Sequence, residues 1–156
     1  MKDGKGFVKE YDLNQLFNKL IYEGEYLNGE RNGKGKEYKD DKLIYEGEYF
    51  NGEMNGKGKE YKDGKLLYEG EYLNGRRNGK GKEYDFEGKM IFEGEYLNGH
   101  KDKGTNYEKD KMKYVGEFLF NKKWNGKGYD ENNKLIYTII DGKFGKYNEN
   151  GKLILS

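Results

Sequence analysis

The chain has no cysteine and no proline among its 156 residues, and alanine is missing too. Without cysteine, disulfides, thiolate metal centres and cysteine nucleophiles are excluded together. One histidine (His100), one serine (Ser156) and two threonines (Thr105, Thr138) leave no serine- or cysteine-type triad to assemble. Apolar residues are scarce as well, with a hydrophobic fraction of 33% and a mean hydropathy of -1.27, too little for a conventional closed core. No apolar run approaches the ~20 residues of a membrane-spanning helix. The opening Met1-Lys2-Asp3-Gly4 lacks the apolar stretch of a secretory leader. These absences predict a soluble, cytoplasmic chain, with a peripheral place at a membrane or the cytoskeleton left open.

Opposite charges nearly cancel, 30 Lys plus Arg against 29 Asp plus Glu, so no long-range field steers the chain toward polyanions, and nucleic acid is not an expected partner. What the chain has in quantity is glycine (25), tyrosine (16) and phenylalanine (8), regularly placed. Tyr22, Tyr45, Tyr68, Phe92, Tyr114 and Tyr137 each open a copy of one pattern, at spacings of 23, 23, 24, 22 and 23 residues by subtraction. The copy at Tyr45 runs Tyr45-Glu46-Gly47-Glu48-Tyr49, then Asn51-Gly52, Asn55-Gly56, Lys57-Gly58-Lys59-Glu60-Tyr61 and Asp63-Gly64. Aromatic residues at alternate places suit a pleated strand, and Asn-Gly and Asp-Gly supply the positive φ of tight hairpin turns. Each unit therefore reads as two short strands and two turns.

Centring that hairpin between Glu53 and Met54 sets Tyr49 opposite Gly58 and Glu48 opposite Lys59. A ring then lies across a glycine with no side chain of its own. Carried along the array, Tyr26, Gly35, Tyr49, Gly58, Tyr72, Gly81 and Tyr96 form one stripe, with Glu25, Glu48 and Glu71 beside Lys36, Lys59 and Lys82 on the other face. An odd period adds a demand: one turn must be odd in length, or a bulge must sit in the Gly-x-Gly segment.

The pattern resembles the MORN (membrane occupation and recognition nexus) repeat, Tyr-x-Gly-x-Trp/Tyr, then Asn-Gly, then Gly-x-Gly. Tyr22, Gly24, Tyr26, Asn28, Gly29, Gly33 and Gly35 carry it first. Tyr45, Gly47, Tyr49, Asn51, Gly52, Gly56 and Gly58 carry it next, and Tyr68, Gly70, Tyr72, Asn74, Gly75, Gly79 and Gly81 third. The resemblance implies an all-β fold, an elongated single-layer antiparallel β-meander solenoid of about six hairpin repeats, twisted, with one groove. It implies a binding habit and no catalytic activity.

The expected organisation is a single array over residues 1–156: a half-repeat or cap at 1–21, repeats over 22–136 and a degenerate cap at 137–156. Around Asp12 to Lys19, four residues more than in later copies admit either a helical turn, with Leu13, Leu16, Phe17 and Leu20 at helical spacing, or a longer hairpin loop. Ile136 to Leu155 reads as a closing cap or as an edge that pairs with a second molecule in a homodimer.

No cofactor and no metal are expected, because the ligand clusters are missing. The repeating glutamates have lysine partners and read as solvated cross-strand pairs rather than a glycosidase pair. The Asn-Gly-Lys-Gly-Lys runs read as turns rather than phosphate loops. The expected function is a protein-protein interaction scaffold. Its tyrosine-lined groove takes a helix or extended segment of another protein, with Tyr26, Tyr49, Tyr72, Tyr96 and Phe118 as apolar contacts. Glu25, Glu48, Glu71, Glu95 and Glu117 then favour a basic amphipathic partner. Two alternatives stand beside it: tethering to acidic phospholipid headgroups through Lys34, Lys36, Lys57, Lys59, Lys80 and Lys82, and service as an accessory module of a larger assembly or enzyme.

Overall fold

The computed structural model describes residues 4–14, 17–148 and 150–155. Fourteen antiparallel strands lie in one open sheet, in chain order. They are β1 (Lys5–Asp12), β2 (Lys19–Leu27), β3 (Glu30–Lys39), β4 (Lys42–Phe50), β5 (Glu53–Lys62), β6 (Lys65–Leu73) and β7 (Arg76–Tyr84). There follow β8 (Met90–Leu97), β9 (His100–Tyr107), β10 (Lys113–Leu119), β11 (Lys122–Tyr129), β12 (Leu135–Ile140), β13 (Lys143–Tyr147) and β14 (Leu153–Leu155). The architecture is all-β, a meander of hairpins in a single layer.

The turns follow from their residues. Asn51 and Gly52 take φ of 47° and 83°, and Asp63 and Gly64 take 50° and 78°, the left-handed pairs that a two-residue hairpin loop requires. Successive Asn-Gly turns are tied together: the Gly52 and Gly75 amides donate to the Arg31 and Met54 carbonyls, both at 2.9 Å.

The register differs from the sequence expectation by two residues. Gly47 pairs with Gly58 and Glu46 with Lys59, where Tyr49 and Glu48 were expected. Beyond Gly47 the pairing slips to Tyr49 opposite Met54, so Asn55 to Lys57 face Glu48 alone and β5 carries two extra residues. Both turns have two residues, and the odd residue of the period sits elsewhere. Leu67 stands unopposed between the pairs Glu60–Tyr68 and Tyr61–Leu66, as Ile44 does one repeat earlier. Neither an odd turn nor a bulge in Gly-x-Gly supplies it.

One consequence of this register is a row of glycines running across the sheet: Gly24, Gly35, Gly47, Gly58, Gly70, Gly81, Gly94 and Gly104 are successive ladder partners. Tyrosine rings lie down over that row. A side chain at Gly58 would stand 2.6 Å from a Tyr45 ring carbon, and one at Gly47 2.7 Å from the Gly58 Cα. The rings interlock edge to face as Tyr26, Tyr22, Tyr49, Tyr45, Tyr72, Tyr68, Tyr96, Phe92, Phe118 and Tyr114. Centroid separations along it run from 5.2 Å for Tyr68–Tyr96 to 5.9 Å for Tyr22–Tyr26. Each such pair contributes about 0.5–1.5 kcal/mol beyond its buried area. This ladder is the core.

A cation covers it in four of the first five repeats. The Arg31 and Arg77 guanidinium carbons sit 4.0 Å over the Tyr22 and Tyr68 rings, Lys101 4.4 Å over Phe92 and Lys123 4.9 Å over Tyr114. Glutamates hold the arginines there. Arg31 pairs with Glu10 at 2.9 Å and Glu37 at 2.7 Å, and Arg77 with Glu60 at 2.7 Å and Glu83 at 3.0 Å. The second repeat has Met54 at this place, packed against the core.

At the N-terminal end, residues 11 and 12 are strand, 13 and 14 a turn in which Asp12 accepts the Asn14 amide at 3.0 Å, and 17 a bend. β1 and β2 pair up to Asp12 and Lys19, and Leu16 of the alternative helical turn lies outside the described residues. A 3-10 turn, Lys109–Lys111, joins β9 to β10.

Candidate interaction face

Strand alternation puts the rings on one face of the sheet and the charged residues that flank each glycine on the other. Tyr49 and Tyr72 are buried to 4% and 5% exposure, Tyr96 and Phe118 are buried, and Tyr26 is partly buried. This corrects the expectation of an open tyrosine-lined groove. The rings cover one another and are capped by Arg31, Arg77, Lys101 and Lys123, so these five residues are packed rather than open to a partner.

The open channel lies on the opposite face. One cavity of 570 Å³ is floored by Gly24, Gly35, Gly47 and Gly58, with Glu46, Glu48, Lys57 and Lys59 among its walls. A second, of 630 Å³, continues over Gly70, Gly81 and Gly94 and shares Lys57 and Lys59 with the first. Together they make one channel along the glycine row. Two ladders of alternating charge border it. On one side Glu23, Lys36, Glu46, Lys59, Glu69, Lys82 and Glu93 pair in succession. On the other, Lys34 pairs with Glu48, Lys57 with Glu71 and Lys80 with Glu95.

The two signs are held differently. Glu25, Glu48 and Glu71 turn back to the sheet, where each accepts a backbone amide across the bulge: Lys34 at 2.6 Å, Lys57 at 2.7 Å and Lys80 at 2.7 Å. Glu23, Glu46 and Glu69 accept the hydroxyls of Tyr38, Tyr61 and Tyr84 at 2.7, 2.6 and 2.6 Å. The Tyr38 hydroxyl in turn holds the Glu23 carboxyl below its ordinary range. Glu95 pairs with Lys103 at 3.2 Å, and Glu117 accepts the Asn125 side-chain amide at 3.2 Å. Lys34, Lys36, Lys57, Lys59 and Lys80 are exposed, and among the described residues their ammonium groups form no ion pair or hydrogen bond.

The ten residues expected to meet a partner therefore separate. The five aromatic ones form the core, and the glutamates belong to the other face, three of them locked to backbone. Missed from sequence were the anchoring hydroxyls of Tyr38, Tyr61 and Tyr84, although their 23-residue recurrence is visible. Phe50, Leu73 and Leu97 were missed as well. They precede each Asn-Gly turn, fall on the charged face by alternation, and are 58%, 49% and 56% exposed.

Among the described residues no group of three His, Cys, Asp or Glu side chains is placed to hold a metal. No helix among them is long and apolar enough to cross a membrane.

The family model of the MORN repeat matches residues 22–42, 45–65 and 68–90. Residues 22–90 thus carry three consecutive MORN repeats, and both channel cavities draw most of their walls from them. Such repeats mark a protein-interaction or membrane-associated module and are typically non-catalytic. No curated protein matches the chain.

Proposed function

We propose that the chain is a non-catalytic scaffold that receives an elongated segment of another protein along the glycine-floored channel. One observation carries this reading: a continuous channel on a single-layer sheet whose opposite face is already closed by its own aromatic rings. Beside it runs an exposed row of Phe50, Leu73 and Leu97, and periodic apolar residues facing solvent next to a channel favour an interaction surface.

A displayed library of helical segments, selected on the wild-type chain and re-measured on Phe50→Glu/Leu73→Glu, tests it. Both replaced residues are outside the core, so folding is expected to be unchanged by circular dichroism. Selected segments should lose at least tenfold in affinity on the double variant. Equal binding to both proteins removes this face as the docking surface.

The exposed lysines also support a second reading, attachment to an anionic phospholipid surface. Sedimentation with phosphatidylserine vesicles at physiological salt tests it, and protein left in the supernatant counts against it.

A further inference from the structure

Resting on the scaffold reading, we infer that the occupant of the channel is an acidic amphipathic α-helix whose carboxylates meet Lys34, Lys36, Lys57, Lys59 and Lys80. By count the channel is nearly neutral, and the sequence alone points to its glutamates and a basic partner. The structure reverses the sign. Glu23, Glu25, Glu46, Glu48, Glu69 and Glu71, the glutamates that flank the glycine row in residues 22–90, each accept a backbone amide or a tyrosine hydroxyl. The five lysines are exposed and have no such anchor, so their ammonium groups, on flexible four-carbon stems, are free to pair with an incoming carboxylate. An approaching segment therefore finds the cations free to pair and these six carboxylates already occupied.

Spacing selects a helix. Lysine pairs straddle Gly35 on β3 and Gly58 on β5, with Lys80 beside Gly81 on β7, so cationic sites recur every second strand, about 9.6 Å apart. An α-helix rises ~1.5 Å per residue, so residues seven apart lie about 10.5 Å and nearly two turns on, and one side of the helix returns within reach of the flexible lysines at each site. An extended segment advances about three residues and alternates faces at every step, so it presents opposite sides to successive sites. The apolar row of Phe50, Leu73 and Leu97 has the same period and takes the stripe beside the acids. A net charge of only +1 leaves little long-range steering, so binding rests on short-range pairs and weakens with salt.

The test measures fluorescence anisotropy with a helical peptide of about 21 residues, roughly three array repeats, bearing Glu at every seventh position beside a Leu stripe. Its controls are an isomer with the acids moved to the opposite side and a counterpart with Lys for Glu. The acidic peptide should bind at least tenfold tighter than both, and Lys57→Glu/Lys59→Glu should reverse the preference. Lys34→Gln/Lys80→Gln, which adds no new charge, should weaken the acidic peptide without that reversal. If the basic peptide binds as tightly and loses affinity on Phe50→Glu/Leu73→Glu, the face stands and the acidic occupant is overturned. Binding by neither peptide overturns both readings, and wild-type affinity for the acidic peptide in the lysine variants overturns the assignment of the lysines. Capture of phosphatidylserine vesicles through these lysines, with no peptide bound, replaces the helix by a lipid surface and sinks the inference.

Discussion

The Glu48 carboxylate accepts the Lys57 amide at 2.7 Å, bridging the bulge that lies between them in the hairpin. This contact has two effects at once. It closes a donor that the slipped register leaves without a ladder partner, and it occupies the carboxylate while leaving the Lys57 ammonium without a partner among the described residues. The same bond joins Glu25 to Lys34 and Glu71 to Lys80, so register and channel charge are set together in three repeats.

Glu48→Ala should therefore lower stability by about 0.5–1.5 kcal/mol, the net range of an ordinary hydrogen bond, because the site is exposed to solvent. Glu48→Gln, which keeps a carbonyl acceptor, should recover most of it. Urea denaturation midpoints check this, and equal midpoints for Ala and wild type would remove the bridge as a stabilising contact.

Gly58 and Gly52 separate two uses of glycine. An alanine at 58 drives its Cβ to 2.6 Å from the Tyr45 ring, inside a packed ladder, and should cost about 1–3 kcal/mol or more. At Gly52 a Cβ meets nothing within 4 Å, and only the φ of 83° is strained, so the cost should be about 1 kcal/mol. Thermal melts of the two variants should rank Gly58→Ala below Gly52→Ala.

Met54 occupies the one place among the first five repeats where no cation lies over the opening ring. Its neighbours Glu37 and Glu60 already bind Arg31 and Arg77. Met54→Arg should extend that network and place a guanidinium over Tyr45, gaining about 0.5–1 kcal/mol and raising the melting temperature by roughly 2–4 °C. A lower melting temperature than wild type would show that the second repeat is packed around the thioether instead.

Burial, with the Glu23 and Glu46 carboxylates, pushes the Tyr38 and Tyr61 hydroxyls up to about 12, and Glu69 with burial does the same for Tyr84. Burial raises Tyr49, Tyr72 and Tyr96 further still. The protonated phenol is the form favoured by folding. Its contribution is complete below the unfolded value of about 10 and is lost as pH climbs through the folded values. Tyrosinate absorbance should therefore lag that of the urea-unfolded chain near about pH 11, and stability should fall steeply beyond it. Coincident titration curves for folded and unfolded protein would contradict this burial.

Much of the fold can be read directly from the residues. The period, the Asn-Gly and Asp-Gly turns and the alternation of Tyr with Glu are local features, and they led to a single-layer meander with rings on one face. The assumed pairing of Tyr49 with Gly58 was off by two residues, yet the faces came out right, because a shift of two preserves the alternation of a strand. The site was less legible. Whether Tyr49 is an open contact or core depends on Tyr45 in its own strand and on Tyr22 and Arg31, which reach it from the preceding repeat.

What the sequence determined by itself is a tandem array of hairpins, since φ preferences and side-chain alternation act within a few residues of each other. Only the tertiary structure decided which carboxylates are tied down and which ammonium groups stay free. The bulges opposite Glu48 and at Leu67 change cross-strand partners without changing the period, so the charge presented by the channel is a property of the register.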